Sequence, residues 1–432
     1  MKIGIIGGGI LGISLGYFLT QRGVIVDIYE ASPEIGGLAG RVTLDDGATV
    51  DRFYHAILSS DSLLLQLCEE LGITEYLHFK ETRMGFYHQG AIHPMNNMID
   101  FLRFPPLGWL DRFRLGLTVL YAQFIRDWHS LESINVEQWL LQLSGENTYR
   151  NIWRPMLKAK FDGGFEQTPA TYIWSRLVRM KSTRSGVNQK EEAGYIQGGY
   201  PTLLTAMIGR IKSAGGTLYL NQPVNEIASD NQTITGLKIQ DEFRPYDAVI
   251  STVQLPVFCR LIPEASSTYL ESLQKIEYLG VVCLLLAMEK PLSGYWTLNI
   301  TDDRFPFTGV IETTAYIDPK DVGGYHLVYL PKYTQPNSNW QTMPDEEIIA
   351  RWLADLEAML PSFSRDQVRF ARVYREKYVE PIHGLSQSDL IPTVETPITN
   401  LYLATTTQIY PDLTNGESIC KYARQVVQTI KP

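Results

Sequence analysis

The chain has 432 residues, a formal charge of −9 and 44% hydrophobic residues. Its length exceeds what one simple core holds and predicts two domains. An acidic balance without a basic block gives no electrostatic help toward a phosphate backbone and argues against a nucleic-acid partner. Cys68, Cys259, Cys283 and Cys420 lie far apart with no metal or CxxC spacing, so each reads as a small buried residue in a reducing, cytoplasmic setting.

The first element is KIGIIGGGILGISLGYFLTQRG, residues 2–23. A secretory signal is one reading of this apolar run. The register of its glycines favours another. Ile3 to Ile6 forms a short strand, Gly7-x-Gly9-x-x-Gly12 follows at once, and apolar residues then recur at helical spacing. VIVDIYE is the next strand and ends in Glu30. Gly7 permits a tight turn, Gly9 lets a pyrophosphate approach the backbone, and Gly12 lets the helix pack against the strand. Glu30 can accept hydrogen bonds from an adenosine ribose, and an acid there disfavours a 2′-phosphate. A second glycine pair, Gly36-Gly37 in GGLAGR, comes six residues later, and a plain NAD domain does not need it.

Downstream, DRFYHAI occupies 51–57, and SSDSLLLQLCEELGI, 59–73, predicts a helix with an Asp/Ser start and a stop at Gly72. PPLGWLDRFRLGLTVLYAQFIRDWHSLES, 105–133, predicts one amphipathic helix rich in aromatics and arginine. Such a helix either roofs a cavity or lies on a membrane surface, and the cavity roof is the favoured reading. In WRPMLKAKFD, 153–162, Arg154, Lys158 and Lys160 either set cations over a site for a carboxylate or form a solvated helix face. STRSGVNQKEEAG, 182–194, and TQPNSNWQTMPDEE, 334–347, are the most loop-like stretches; the first is either a hinge or lid or a plain connection. The region before 190 is expected to be mostly helical. VVCLLLAMEK, YWTLNIT, TGVIETTAYI and YHLVYLPKY predict an antiparallel sheet that could wall a pocket. YLGVVCLLLAM, 278–288, is too short to span a membrane and reads as a buried strand.

The pattern GxGxxG, Glu30, Gly36-Gly37 resembles the extended signature of the FAD-dependent amine oxidase, protoporphyrinogen oxidase and phytoene desaturase superfamily, and the closest similarity is to bacterial protoporphyrinogen-oxidase-like oxidoreductases. GYIQGGYPTLLTAMIGRIKSAGGTLYLNQPVNEI (194–227), YDAVIST (246–252) and NLYLATTTQIYPDLTNGESICKYARQVVQTI (400–430) resemble its later FAD segments. The resemblance implies an α/β protein. A Rossmann-like FAD-binding domain would be built from the discontinuous segments 1–75, 190–255 and 390–432. An α+β substrate domain, an antiparallel sheet plus helices, would come from 76–189 and 256–389.

The resemblance also implies site residues. Gly7, Gly9, Gly12, Glu30, Gly36, Gly37, Arg41, Val224, Thr406 and Ser418 would bind FAD, with Arg41 as a phosphate partner and the backbone of Val224 at the adenine. Thr405-Thr406 stand where the superfamily usually has Gly-Asp; a threonine can still hydrogen-bond a ribityl hydroxyl. His55 would hydrogen-bond the flavin or shuttle a proton, with Tyr54 as packing beside it, and Tyr410 would wall the substrate pocket. Lys332 and Lys377 are candidates for the flavin-side lysine of amine oxidases. The implied reaction is hydride removal from a C–N, C–C or C–O bond of a largely apolar small molecule, with oxygen or a quinone as acceptor and a peripheral contact with the inner face of a membrane. Other readings are a flavin-dependent isomerase or mutase, a non-catalytic flavin-binding protein, and an NAD-dependent dehydrogenase.

Overall fold

A computed structural model describes residues 1–182, 192–262 and 265–430. Most of the 182–194 loop lies outside the described residues. Strands Leu401–Leu403, Ala248–Ser251, Lys2–Ile6, Ile25–Tyr29 and Thr217–Tyr219 form, in that order, one parallel sheet. All five come from the three chain segments assigned to the nucleotide-binding half. The strands are apolar because both faces are covered. Helix Ile10–Thr20 is buried from Ile10 through Leu19, between the sheet and helices Tyr200–Ser213 and Gly416–Thr429. Gly16 makes this close packing possible: an added Cβ would come within 3.0 Å of Ile28 and 3.1 Å of Ile211. The apolar run at the N-terminus is therefore the centre of a folded core.

The second sheet has seven strands, in the order Val368–Ile382, Glu277–Met288, His326–Thr334, Gly309–Glu312, Thr297–Ile300, Met84–His88 and Ala91–Pro94. Its neighbours are antiparallel except Thr297–Ile300 with Met84–His88, which run parallel. The four expected strands are present, but the sheet also includes Val368–Ile382, which was not predicted, and two strands from the region expected to be mostly helical. Val282, Leu284 and Leu286 face helix Asp345–Met359 and its buried Trp352. The alternate residues Val281, Cys283 and Leu285 face Phe53, Tyr195 and Tyr316 on the other side. The predicted 59–73 helix runs over Ser62–Glu70, and Gly72 turns with φ +72°. The predicted 105–133 helix is shorter, Trp109–Ala122, followed by a turn of 3-10 helix at Trp128–Leu131. All four cysteines are free, and burial pushes the Cys68 thiol up to about 11.

Candidate functional site: a glycine cradle and a charged cluster

Sterics build the cradle. Gly7 has φ +110°, and a Cβ there would run into the Thr252 hydroxyl. A Cβ on Gly12 would run into the Gly7 carbonyl oxygen, so helix and turn touch through bare backbone. The second pair closes on the first: Gly36 N–H donates to Gly8 O at 2.9 Å, and Gly36 and Gly37 have φ of +105° and +58°. Gly9 differs from these. A Cβ there would find nothing nearer than Gly36 O at 3.9 Å, so the space beside it is left open. Gly9 also starts helix Ile10–Thr20 with no side-chain cap and no acid in the first turn. The free N–H groups at that end can take an anion such as a diphosphate.

Glu30 sits at the end of its strand beside this opening. Its carboxylate accepts from Gly8 N–H at 2.7 Å and from Ser32 N–H at 2.9 Å. Arg41 donates to Thr49 O at 2.6 Å, and its Nε is buried without a partner among the described residues. Arg52 was not among the expected site residues, yet it donates to Gly37 O at 3.0 Å and pairs with Glu376 at 2.9 Å. Val224 opens the strand Val224–Asp230 and is half-buried.

At the other end of the cradle, Thr406 begins the turn after strand Leu401–Leu403, where Thr405 and Gln408 cap each other's backbone. Asn415 caps helix Gly416–Thr429 by accepting from Ser418 N–H at 3.2 Å, and the Ser418 hydroxyl donates to Leu413 O. Gly416 leaves room for Tyr200, whose hydroxyl occupies the place a Cβ would take. The His55 ring lies edge-on to Tyr200 at 5.7 Å. His55 Nδ1 is 2.9 Å from Phe53 O, and a carbonyl can only accept, so Nδ1 carries the proton and Nε2 is left with a lone pair. Burial lowers the pKa of His55 and keeps the ring neutral.

Away from the cradle, side chains from distant parts of the chain converge. Lys160 is ion-paired with Glu380, which also pairs with Arg176 at 3.1 Å. The Lys160 ammonium lies 3.2 Å from the Tyr333 ring centroid, and the Arg176 guanidinium lies 3.4 Å from that of Tyr172. Tyr54 reaches the same group through its hydroxyl, 3.5 Å from that of Tyr333. Burial opposes ionisation of Glu380, but Lys160 and Arg176 overcome it and hold its carboxyl below the usual range. A cleft opens beside the cluster, lined by Phe161, Tyr172, Leu279, Ile382, Thr406 and Tyr410. Tyr410 shares a hydrogen bond with the Thr171 hydroxyl at 2.7 Å and lies 4.4 Å from the His383 ring. Burial pushes His383 down to about 4.

This geometry can be set against known proteins. Residues 12–416 match the model of the flavin-containing amine oxidoreductases. The chain belongs to that family. It is 24% identical over 409 residues to a 15-cis-phytoene desaturase of Synechococcus elongatus, covering 87% of this chain and 83% of the relative. It is 24% identical over 489 residues to a zeta-carotene desaturase of Synechocystis sp., covering 100% and 97%. The fold is that of a reduced UDP-galactopyranose mutase, with a TM-score of 0.78 at 17% identity over 99% of this chain and 93% of the other.

Not every cation of this flavin-family oxidoreductase faces the cleft. Lys160 turns inward, but Lys158 pairs with Asp303 at 2.7 Å and Arg154 is exposed on the outer surface. Lys332 pairs with Asp162 at 3.0 Å, and Lys377 is exposed. Glu380, Arg176, Tyr172, Tyr333 and His383 gave no sequence signal, because they meet only in space. Among the described residues no group of His, Cys, Asp and Glu is placed to hold a metal, and no helix is long and apolar enough to cross a membrane.

Proposed function

We propose that the protein binds FAD non-covalently and oxidises a largely apolar small molecule by removing a hydride, with a C–C bond as the site of desaturation. The open space beside Gly9, at an uncapped helix end closed over by Gly36-Gly37, carries this reading: it suits a dinucleotide diphosphate. Glu30 would exchange its bond to Gly8 N–H for a ribose hydroxyl. When bound, the flavin supplies the hydride acceptor. The residual work falls to the chain. Phe161, Leu279 and Ile382 offer an apolar wall for the body of the substrate. Lys160 and Arg176 outnumber Glu380 by one charge and can orient a polar end. His55, neutral and with a free Nε2, can take or hold a proton. The desaturase relatives support a C–C bond over a C–N bond, since both names specify removal of hydrogen from a hydrocarbon.

The test is a visible spectrum of the purified protein, followed by anaerobic addition of an apolar polyene or its saturated precursor. Bound yellow flavin that bleaches on addition is the expected result. Protein without flavin would end the cofactor reading. Flavin that stays oxidised with every hydrocarbon but bleaches with an amine would overturn the bond assignment. Turnover only after dithionite reduction, with no acceptor consumed, would make it an isomerase or mutase.

A further inference from the structure

Helices Met98–Leu102 and Trp109–Ala122 turn their largest apolar side chains outward. Trp109 is 79% exposed, Phe113 61% and Phe124 72%. With Leu117 and Leu120 these positions recur every three or four residues and form one stripe, while Leu115, Thr118 and Ala122 on the opposite face are buried. Phe101 packs at Gly116, where an added Cβ would lie 3.8 Å away, so Ile99 and Leu102 extend the same surface. A continuous apolar patch of this kind marks a contact with a protein or a membrane.

Charge indicates which. Residues 97–127 hold four arginines and three aspartates, on a chain of net charge −9. Each aspartate is engaged locally: Asp100 accepts from Asn96 N–H at 2.9 Å, Asp111 from the Asn147 amide at 2.7 Å, and Asp127 from His129 N–H at 3.1 Å. Arg112 and Arg114 donate to the backbone carbonyls of Phe104 and Gln142, which do not neutralise them. Arg103 follows the first helix, Arg126 lies just past Phe124, and both are exposed. A symmetric pair of copies would bring these like charges together. A bilayer with anionic headgroups would complement both the apolar stripe and its arginine rim.

The patch also adjoins the cleft. The Trp174 indole donates to Ala122 O at 3.0 Å, and the Gln123 amide to Leu177 O at 2.8 Å. These bonds fasten its end to helix Thr171–Ser182, which carries Tyr172 and Arg176. Beyond it, the Trp128 ring meets Tyr410 edge-on at 5.4 Å. We infer that this surface lies in the interface of an anionic bilayer, making the protein monotopic, and that the bilayer delivers substrate to the cleft; the delivery clause alone rests on the apolar-substrate reading above.

The experiment is co-sedimentation of the purified protein with vesicles of phosphatidylcholine alone and of phosphatidylcholine with an equal amount of phosphatidylglycerol. Wild type should partition to the anionic vesicles, with tryptophan fluorescence shifting to the blue, and added salt should weaken binding. The triple variant Trp109→Ser, Phe113→Ser, Phe124→Ser should bind at least about tenfold more weakly. Its flavin content and melting temperature should not change, because these side chains face solvent. Arg103→Gln with Arg126→Gln should cost about an order of magnitude on anionic vesicles and little on neutral ones. Wild-type protein that ignores both vesicle types, or a triple variant that binds like wild type, would overturn the proposal. So would a wild-type dimer that the triple variant dissolves and that never binds vesicles. Flavin content is read separately, so failure of the cofactor reading would be visible by itself.

Discussion

In the glycine cradle the contact surface is backbone, laid down almost wholly within the first forty residues. In the charged cluster and its cleft it is side chains: Lys160 and Arg176 from two helices, Tyr333 and Glu380 from two strands, and Tyr410 from the C-terminal loop. The cradle works by omission, since bare glycines let chain segments touch and leave a hollow. The cluster works by compensation, since two cations share one half-buried carboxylate. Damage should therefore differ in kind: steric and absolute at one end, electrostatic and graded at the other.

The sharpest break comes within the cradle itself. Gly12→Val places atoms on the Gly7 carbonyl, which is backbone and cannot yield, so loss of soluble fold or a stability drop above about 3 kcal/mol is expected in urea unfolding. Gly9→Val has room in the protein and should keep its melting curve while losing flavin colour. If the two variants behaved alike, the distinction between packing glycine and ligand glycine would be wrong.

In this cluster, Glu380→Gln leaves the half-buried Lys160 and Arg176 without their anion and should cost about 1–3 kcal/mol. Adding Lys160→Met should return part of that loss, a non-additivity that denaturant titration of the double variant can read. Full additivity would mean that the ion pairs do not form as described.

A pH series sharpens the contrast further. Burial depresses His383 to about 4, so its folded form resists protonation. The stability this contributes is complete above the unfolded value near 6.5 and declines as pH falls toward 4, at most about 1.4 kcal/mol per unit. Wild type should lose stability relative to His383→Gln across that window; parallel curves would remove His383 from the buried cleft. The smallest effect belongs to Tyr410→Phe, which deletes the bond to Thr171 and should cost about 1 kcal/mol without changing the flavin spectrum.

The N-terminal strand, turn and helix were readable because each step is local: glycine spacing, a 3.6-residue period and a terminal acid. The strands between 277 and 334 were readable for the same reason, whereas Val368–Ile382 was not predicted. Met84–His88 and Ala91–Pro94 were not, since their short pattern becomes a strand only by pairing with Thr297–Ile300. Helical periodicity already held part of the answer at 154–160. Arg154 and Lys158, four residues apart, share a face, and Lys160 points elsewhere. What lies on that other side could not be read, because Glu380 is 220 residues away.

The sequence by itself determined where backbone must lack side chains, and hence where a dinucleotide can lie. Whether an apolar helix face is covered or bare, and which of three neighbouring cations is buried, was decided only by tertiary structure. Periodicity tells which residues share a face, but the long-range packing of sheet and helices settles whether that face meets protein or solvent.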